Sequence, residues 1–242
     1  MAQYGSVFDA ITDALLFLLV RVEQGLAWLP WWLVVLAVVA LVWHAFGRKI
    51  FPALLMGGLM ILVGTFGRWA EMMTTIALMV VATAVTIVIG IPIGIFMAKS
   101  DSVRAVLKPI LDGMQTMPSF VYLVPVIMFF GLGNVAAIFA TFIYAVPPVI
   151  RLTDLGIRLV DKEVIEASRS FGASSRQTLF EVQLPLAMPN IMAGINQTIM
   201  LALSMVVIAA MIGADGLGSE VWRAIQRLRP GDGFEAGIAV VI

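Results

Sequence analysis

The sequence predicts an all-α polytopic membrane protein, and three observations carry that prediction. Of the 242 residues, 61% are hydrophobic and only 12% charged. The charged residues cluster and leave long charge-free runs between them. The largest charged stretch between two such runs carries helix-capping signals. A soluble domain has about 25% charged residues. It could not hide this much apolar surface, so the solvent of this chain is lipid. Net charge is zero, which gives no basic field for nucleic acid. There is no cysteine, which excludes disulfides, thiolate metal sites and cysteine nucleophiles. The single histidine, His44, sits in an apolar run and reads as a helix-end residue.

The elements follow from the charge map. Over residues 6–29 apolar positions recur at helical spacing (Val7, Ile11, Leu15, Leu18, Val22), but Asp9, Asp13, Arg21 and Glu23 interrupt them. Residues 1–30 therefore read as an interfacial amphipathic helix, with an extra tilted span as the alternative and no secretory signal expected. Positions 31–47, 50–67, 72–98, 113–150 and 184–214 lack Asp, Glu, Lys and Arg. A span needs about 20 residues to cross roughly 30 Å of hydrocarbon. The first two runs, within residues 31–68, are short spans with Trp31, Trp32 and Trp43 as interfacial anchors. The third and fifth are single spans. The fourth is too long for one helix, and Gly131, Gly133 and Asn134 divide it into 113–130 and 135–150. That makes six spans. A seventh starts at Ala236, and its seven residues to Ile242 are too few to cross, so a final helix incomplete within this sequence is expected.

Orientation follows from Lys and Arg. Placing residues 151–183 in the cytoplasm puts Arg48, Lys49, Lys99, Arg104, Lys108, Arg151, Arg158, Lys162, Arg169 and Arg176 there, against Arg223, Arg227 and Arg229 outside. The N-terminus is then extracytoplasmic.

The stretch from Arg151 to Gln183 holds Arg151, Asp154, Arg158, Asp161, Lys162, Glu163, Glu166, Arg169, Arg176 and Glu181. Each would cost about 3 kcal/mol at a bilayer centre, so the loop lies in water or against protein. Asp161 is an N-cap for a helix through Phe171, with Val164, Ala167, Ser168 and Phe171 on one face. Gly172 suits the left-handed residue that ends it. Ser174 with Gln177 fits a capping box that opens a second helix, near whose end Pro185 marks re-entry to the membrane. The loop is thus helix, glycine corner, helix. Such a loop can fold back on its own membrane domain. It can also plug into a cleft of a partner, where Ala167, Ser168, Gly172 and Ala173 allow close approach and Glu166 and Arg169 offer charged contacts.

Glu166-Ala167-Ser168, three residues, Gly172, nine residues, then Val182-Gln183-Leu184-Pro185 resembles the EAA motif (EAA-x3-G-x9-I-x-LP) of permease subunits of bacterial ABC importers. Ser168 stands for the motif's second Ala and Val182 for its Ile. Residues 112–125, 145–151, 193–213 and 216–220 are similar to the permeases of glycine betaine, proline betaine and choline uptake systems, and the likeness covers about 50–242.

The resemblance implies a type I ABC importer transmembrane fold over 69–242, with the EAA loop at 151–185. Two permease copies, identical in this subfamily, would sit on two ATPases, and an extracytoplasmic binding protein would deliver substrate. Coupling to the ATPase would run through Glu166, Ala167, Ser168, Arg169, Gly172, Leu184 and Pro185. The chain itself would break no bond and bind no cofactor, with ATP and Mg2+ held by the partner. Its residues show no Walker loop, Ser/His/Asp constellation or metal-ligand cluster. The membrane would be the bacterial cytoplasmic membrane. The cargo would be a quaternary-ammonium osmoprotectant: glycine betaine, proline betaine, choline or carnitine. Candidate pathway residues are Asp112, Gln115, Thr116, Tyr122, Tyr144, Asn196 and Ser204, with Gln197 beside them; each also fits helix–helix hydrogen bonding or packing. Gly90-Ile-Pro92-Ile-Gly94 marks a hinge candidate that also permits close helix packing. An ABC permease for another small solute, an ATPase-independent secondary transporter and a scaffold or sensor remain as alternatives.

Overall fold

The computed structural model describes residues Ala2–Val241, with side chains from Phe8 onward. Val7's side chain and Ile242 therefore lie outside the described residues. Among these residues the chain is helical. The helices are α1 (Ala2–Trp28), α2 (Trp31–Ala45), α3 (Ile50–Thr65), α4 (Trp69–Lys99), α5 (Asp101–Thr116), α6 (Ser119–Phe130), α7 (Asn134–Arg158) and α8 (Lys162–Ser170). They continue as α9 (Ser175–Ala210), α10 (Leu217–Gln226) and α11 (Pro230–Val241). Three of them, α4, α7 and α9, are long and apolar enough to cross a membrane, and up to five spans result if each bent pair counts as one. With the shorter apolar α3, that is roughly compatible with the expected six to seven.

Three boundaries differ from the sequence reading, and each has a proline behind it. The span expected at 113–130 is not one helix, because α5 and α6 meet at a bend of 104°. Met117 precedes Pro118 and is extended (φ −75°, ψ 135°), since the proline ring disfavours helical backbone in the residue before it. The second loop helix does not end near Pro185. It runs on as α9 through a π-helical turn at Thr178–Gln183, in which the Leu184 N–H donates to the Leu179 carbonyl immediately before Pro185, a residue with no N–H to donate. The last helix begins at Pro230 and not at Ala236, with proline in the first-turn position where its missing N–H costs nothing.

The chain divides into two compact units: Met1–Val81, Leu123–Ile138 and Met205–Ile242 form one, and Ala82–Tyr122 with Phe139–Ser204 form the other. In the first unit, α1 buries Leu15 and Leu19, and Phe8 stacks on Phe129 at 4.9 Å. Leu18, one of the apolar positions read at helical spacing, is exposed, and steps of four from Ile11 and Leu15 bring Leu19 to the buried face. Proline 30 turns α1 into α2 by 99°. Val34, Val35, Met60, Val63, Met72, Met73, Leu217 and Ala239 form the core of this unit. The Gly131–Asn134 turn forms as its chemistry predicts, with φ +73° at Gly131 and +121° at Gly133. Asn134 donates to Asp215 at 3.0 Å and accepts from the Asp215 N–H at 2.8 Å.

In the second unit α7 is the central helix, and glycines set how closely its neighbours approach. A Cβ on Gly90 would lie 2.4 Å from Val149 Cγ1, and one on Gly94 would lie 2.6 Å from Thr153 Cβ and 2.8 Å from the Ile150 carbonyl oxygen. On the α9 side, a Cβ on Gly194 would lie 3.1 Å from Leu152 Cβ, and one on Gly156 2.8 Å from Asn190 Cβ. Small residues permit such backbone contact in membranes, where dispersion and hydrogen bonds drive helix association. Thr198 adds one of those bonds, donating to the Ala145 carbonyl at 3.0 Å.

Candidate functional site

The candidate site is the α8–α9 corner. Asp161 accepts from the Glu163 N–H at 2.9 Å and caps α8, where the helix dipole favours a carboxylate. At the other end Gly172 takes φ +85°. The Gly172 N–H donates to the Arg169 carbonyl at 2.9 Å and the Ala173 N–H to the Ser168 carbonyl at 3.2 Å. This paired pattern is a Schellman motif and satisfies two of the helix's last carbonyls. Ser174 and Gln177 then form the expected capping box: Ser174 Oγ accepts from the Gln177 N–H at 3.3 Å, and Gln177 Oε1 accepts from the Ser174 N–H at 2.9 Å. The corner is therefore closed by hydrogen bonds at both helix ends, and no residue of α8 contributes to a hydrophobic core.

What the corner presents outward is specific. No residue of α8 is buried. Val164, Ala167 and Phe171 lie on its open face, and Phe171 is 93% exposed. Ser168 departs from that face: it is half-buried, with its hydroxyl 3.3 Å from that of Thr178 on α9. Glu166 and Arg169 are exposed at the sides. On α9, Pro185 is exposed and Leu184 half-buried. A Cβ on Gly172 would meet nothing within 4 Å. An apolar anchor, flanking charges and free space on a capped helix make a surface suited to a cleft in another protein.

The pathway candidates do not gather into one cluster. Tyr122 and Tyr144 are neighbours, with ring centroids 6.3 Å apart, and the Tyr122 hydroxyl donates to the Met114 carbonyl across the α5–α6 bend. Asp112 pairs with Arg151. Thr116 donates to the Gly113 carbonyl at 3.0 Å and Ser204 to the Met200 carbonyl at 3.0 Å, each within its own helix. Gln115, Asn196 and Gln197 are exposed.

Sequence reasoning missed the charge network where α4, α5 and α7 meet. Asp154 is almost fully buried, with Arg104 at 3.2 Å and Arg158 at 2.9 Å. Arg158 also pairs with Asp101 at 2.7 Å and donates to the Met97 carbonyl at 3.0 Å. The i,i+4 spacing of Asp154 and Arg158 was the available signal.

Residues 90–242 match the family described as binding-protein-dependent transport system inner membrane component. The chain is 48% identical over 99% of its length to the glycine betaine transport system permease protein OpuAB of Bacillus subtilis (strain 168), covering 84% of that protein. It is 47% identical over its whole length to the glycine betaine/proline betaine transport system permease protein ProW of Escherichia coli (strain K12), covering 68% of it. Among solved structures, an inward-facing conformation of the MetNI methionine ABC transporter matches with TM-score 0.63 at 22% identity, over 69% of this chain and 84% of that one. That likeness concerns the fold.

Proposed function

The chain belongs to the binding-protein-dependent transport system inner membrane component family, and from that premise we propose that it is the permease of an ATP-driven importer of quaternary-ammonium osmoprotectants. The relatives named for glycine betaine and proline betaine support this substrate class, and so do more distant ones named for carnitine and choline. The single observation that carries the coupling role is the α8 corner: a capped helix whose open face carries an exposed phenylalanine that none of the described residues covers.

In this reading the corner faces the cytoplasm and α8 seats in a cleft of a partner ATPase that holds ATP and Mg2+. Two copies of the chain and an extracytoplasmic binding protein complete the assembly in the bacterial cytoplasmic membrane. ATP binding closes the ATPases, carries the α8 helices with them and turns the pathway outward; hydrolysis resets it. The permease contributes no bond-breaking chemistry. Glu166 and Arg169 flank the apolar contact of Val164, Ala167 and Phe171. Gly172 keeps the corner slim at its point of entry. The hinge role of Gly90, Pro92 and Gly94 belongs to the same cycle, as do the pathway roles of Asp112, Gln115, Thr116, Tyr122, Tyr144, Asn196 and Ser204.

The test is reconstitution with the ATPase and binding protein in vesicles, with radiolabelled glycine betaine uptake and ATPase activity measured together. Gly172→Trp is expected to insert and to lose the coupling between hydrolysis and uptake. Wild-type coupling in an assembled Gly172→Trp complex overturns the coupling role. Uptake in vesicles that lack any ATPase overturns the importer reading in favour of a secondary transporter.

A further inference from the structure

The segment between α4 and α6 joins the coupling corner in a way the motif does not describe. Helix α5 is amphipathic and lies antiparallel along the last third of α7. Three ion pairs give the register: Asp101 with Arg158, Arg104 with Asp154 and Asp112 with Arg151. Leu111 packs beneath them in one cluster with Met97, Val146, Val149 and Ile150. Arg158 is the point where the elements meet. Its Nη1 pairs with Asp101 at the start of α5, its Nε bonds Asp154 on α7, and its Nη2 donates to the Met97 carbonyl in the last turn of α4. That carbonyl is among those a helix end leaves unsatisfied, so Arg158 serves as its cap. A planar guanidinium spreads its donors over three nitrogens in a fixed fork, whereas an ammonium presents its three donors from a single point. Four residues later, at Lys162, α8 begins.

We propose that Arg158 is a positioning residue that ties the coupling helix α8 to α4 and α5, so that a displacement of α8 carries α5 with it. The inference rests on the coupling role of α8 proposed above. It goes beyond that role by naming the element that is pulled and the side chain that pulls it. The three nitrogens of Arg158 are all engaged within the chain. It acts because its three bonds reach three helices, and because the buried Asp154 beside it fixes the end of α7 in place. Through the 104° bend at Pro118, spanned by the hydroxyl of Tyr122, motion of α5 continues into the start of α6.

Two substitutions test this. Arg158→Gln removes the fork, yet leaves Asp154 paired with Arg104, so no buried carboxylate is stranded. Asp101→Asn removes one arm at a side chain that is 88% exposed, and decides the same question should Arg158→Gln fail to insert. The chain has no cysteine. Single labels at Val106→Cys on α5 and Lys162→Cys on α8, both exposed positions, therefore report inter-copy distances in the complete complex by pulsed spin resonance, without and with ATP.

In the parent complex both distances are expected to change on ATP binding. With Arg158→Gln the Lys162→Cys distance still changes, the Val106→Cys distance no longer does, and uptake falls about tenfold, within the range of couplings between sites. ATPase copurification is unchanged. Arg158→Lys recovers part of the uptake, and Asp101→Asn shows a smaller loss in the same direction. The proposal is overturned if Val106→Cys still follows ATP and uptake is unchanged in Arg158→Gln, or in Asp101→Asn where that is the variant that inserts. If the Lys162→Cys distance stays fixed even in the parent complex, the coupling role itself falls and this inference with it.

Discussion

Gly172 and Gly94 stand in opposite surroundings. At Gly172 the backbone is at φ +85° and a Cβ would meet nothing within 4 Å. At Gly94 φ is ordinary, and a Cβ would lie 2.6 Å from Thr153 Cβ and 2.8 Å from the Ile150 carbonyl oxygen. One glycine is needed for the shape of the chain and the other for the nearness of a neighbour. The α8–α9 corner is thus open around its glycine, whereas the α4–α7 crossing is already full. Substitutions at the first should be felt in assembly, and at the second in folding.

The largest effect tests the full side of that comparison. Gly94→Val places branched carbons against a backbone oxygen that cannot move aside, so it is expected to destabilise by about 3 kcal/mol, at the upper end of overpacking penalties. Thermal unfolding of the purified permease in detergent reads it out. Gly194→Ala, whose Cβ would lie 3.1 Å from Leu152 Cβ and from the Val149 Cα, should cost less. Equal losses at both positions would mean that the α4–α7 crossing relaxes as readily as the α7–α9 one.

Phe171→Ala tests the open side. A fully exposed side chain contributes little to the fold of the permease alone, so its melting temperature should stay unchanged. If Phe171 is the anchor of the partner cleft, ATPase affinity should fall by about 2 kcal/mol, near 30-fold, as measured by co-elution at graded concentration. An unchanged affinity would move the anchor elsewhere on α8. The opposite pattern, a lower melting temperature with full assembly, would mean that the corner folds against its own chain.

These two sides were unequally legible. Gly172 could be read from sequence because its reasons are local: Asp161, the apolar positions of α8 and the Ser174–Gln177 pair all lie in one short loop, and the caps at Asp161 and Ser174 formed as capping chemistry requires. The closeness at Gly90 and Gly94 was anticipated in kind, but the partner helix was not, because which helix lies opposite depends on tertiary packing. The network of Arg158 with Asp101 and Met97 joins residues about sixty positions apart, and no periodicity marks it. Pro118 and Pro185 look alike in sequence. One stands at a break between two helices and the other lies just past a π turn inside a continuous helix, since tertiary surroundings decide whether a helix runs on through a proline.

Gly172→Ala separates conformation from crowding. Because space is free, its cost comes from the left-handed backbone alone, about 1 kcal/mol. It should appear as faster hydrogen exchange at the Ala173 amide, whose bond to Ser168 closes the corner. Gly172→Asn should cost less, since asparagine tolerates that region better. If both variants exchange at the parent rate, the corner is held by the capping box and not by the glycine.

The smallest effect is expected at Ser168, where the chain departs from the motif it resembles. Its hydroxyl lies 3.3 Å from that of Thr178, at the long end for two hydroxyl groups, and it is only half-buried. Ser168→Ala restores the motif's alanine and leaves Thr178 free to bond elsewhere within its helix. The change in melting temperature should correspond to less than about 0.5 kcal/mol, and coupling of hydrolysis to uptake should be intact. A loss of coupling without a loss of stability would instead make the Ser168–Thr178 contact the joint between α8 and α9. The corner would then be rigid by that side-chain contact, and not by the caps at Asp161 and Ser174.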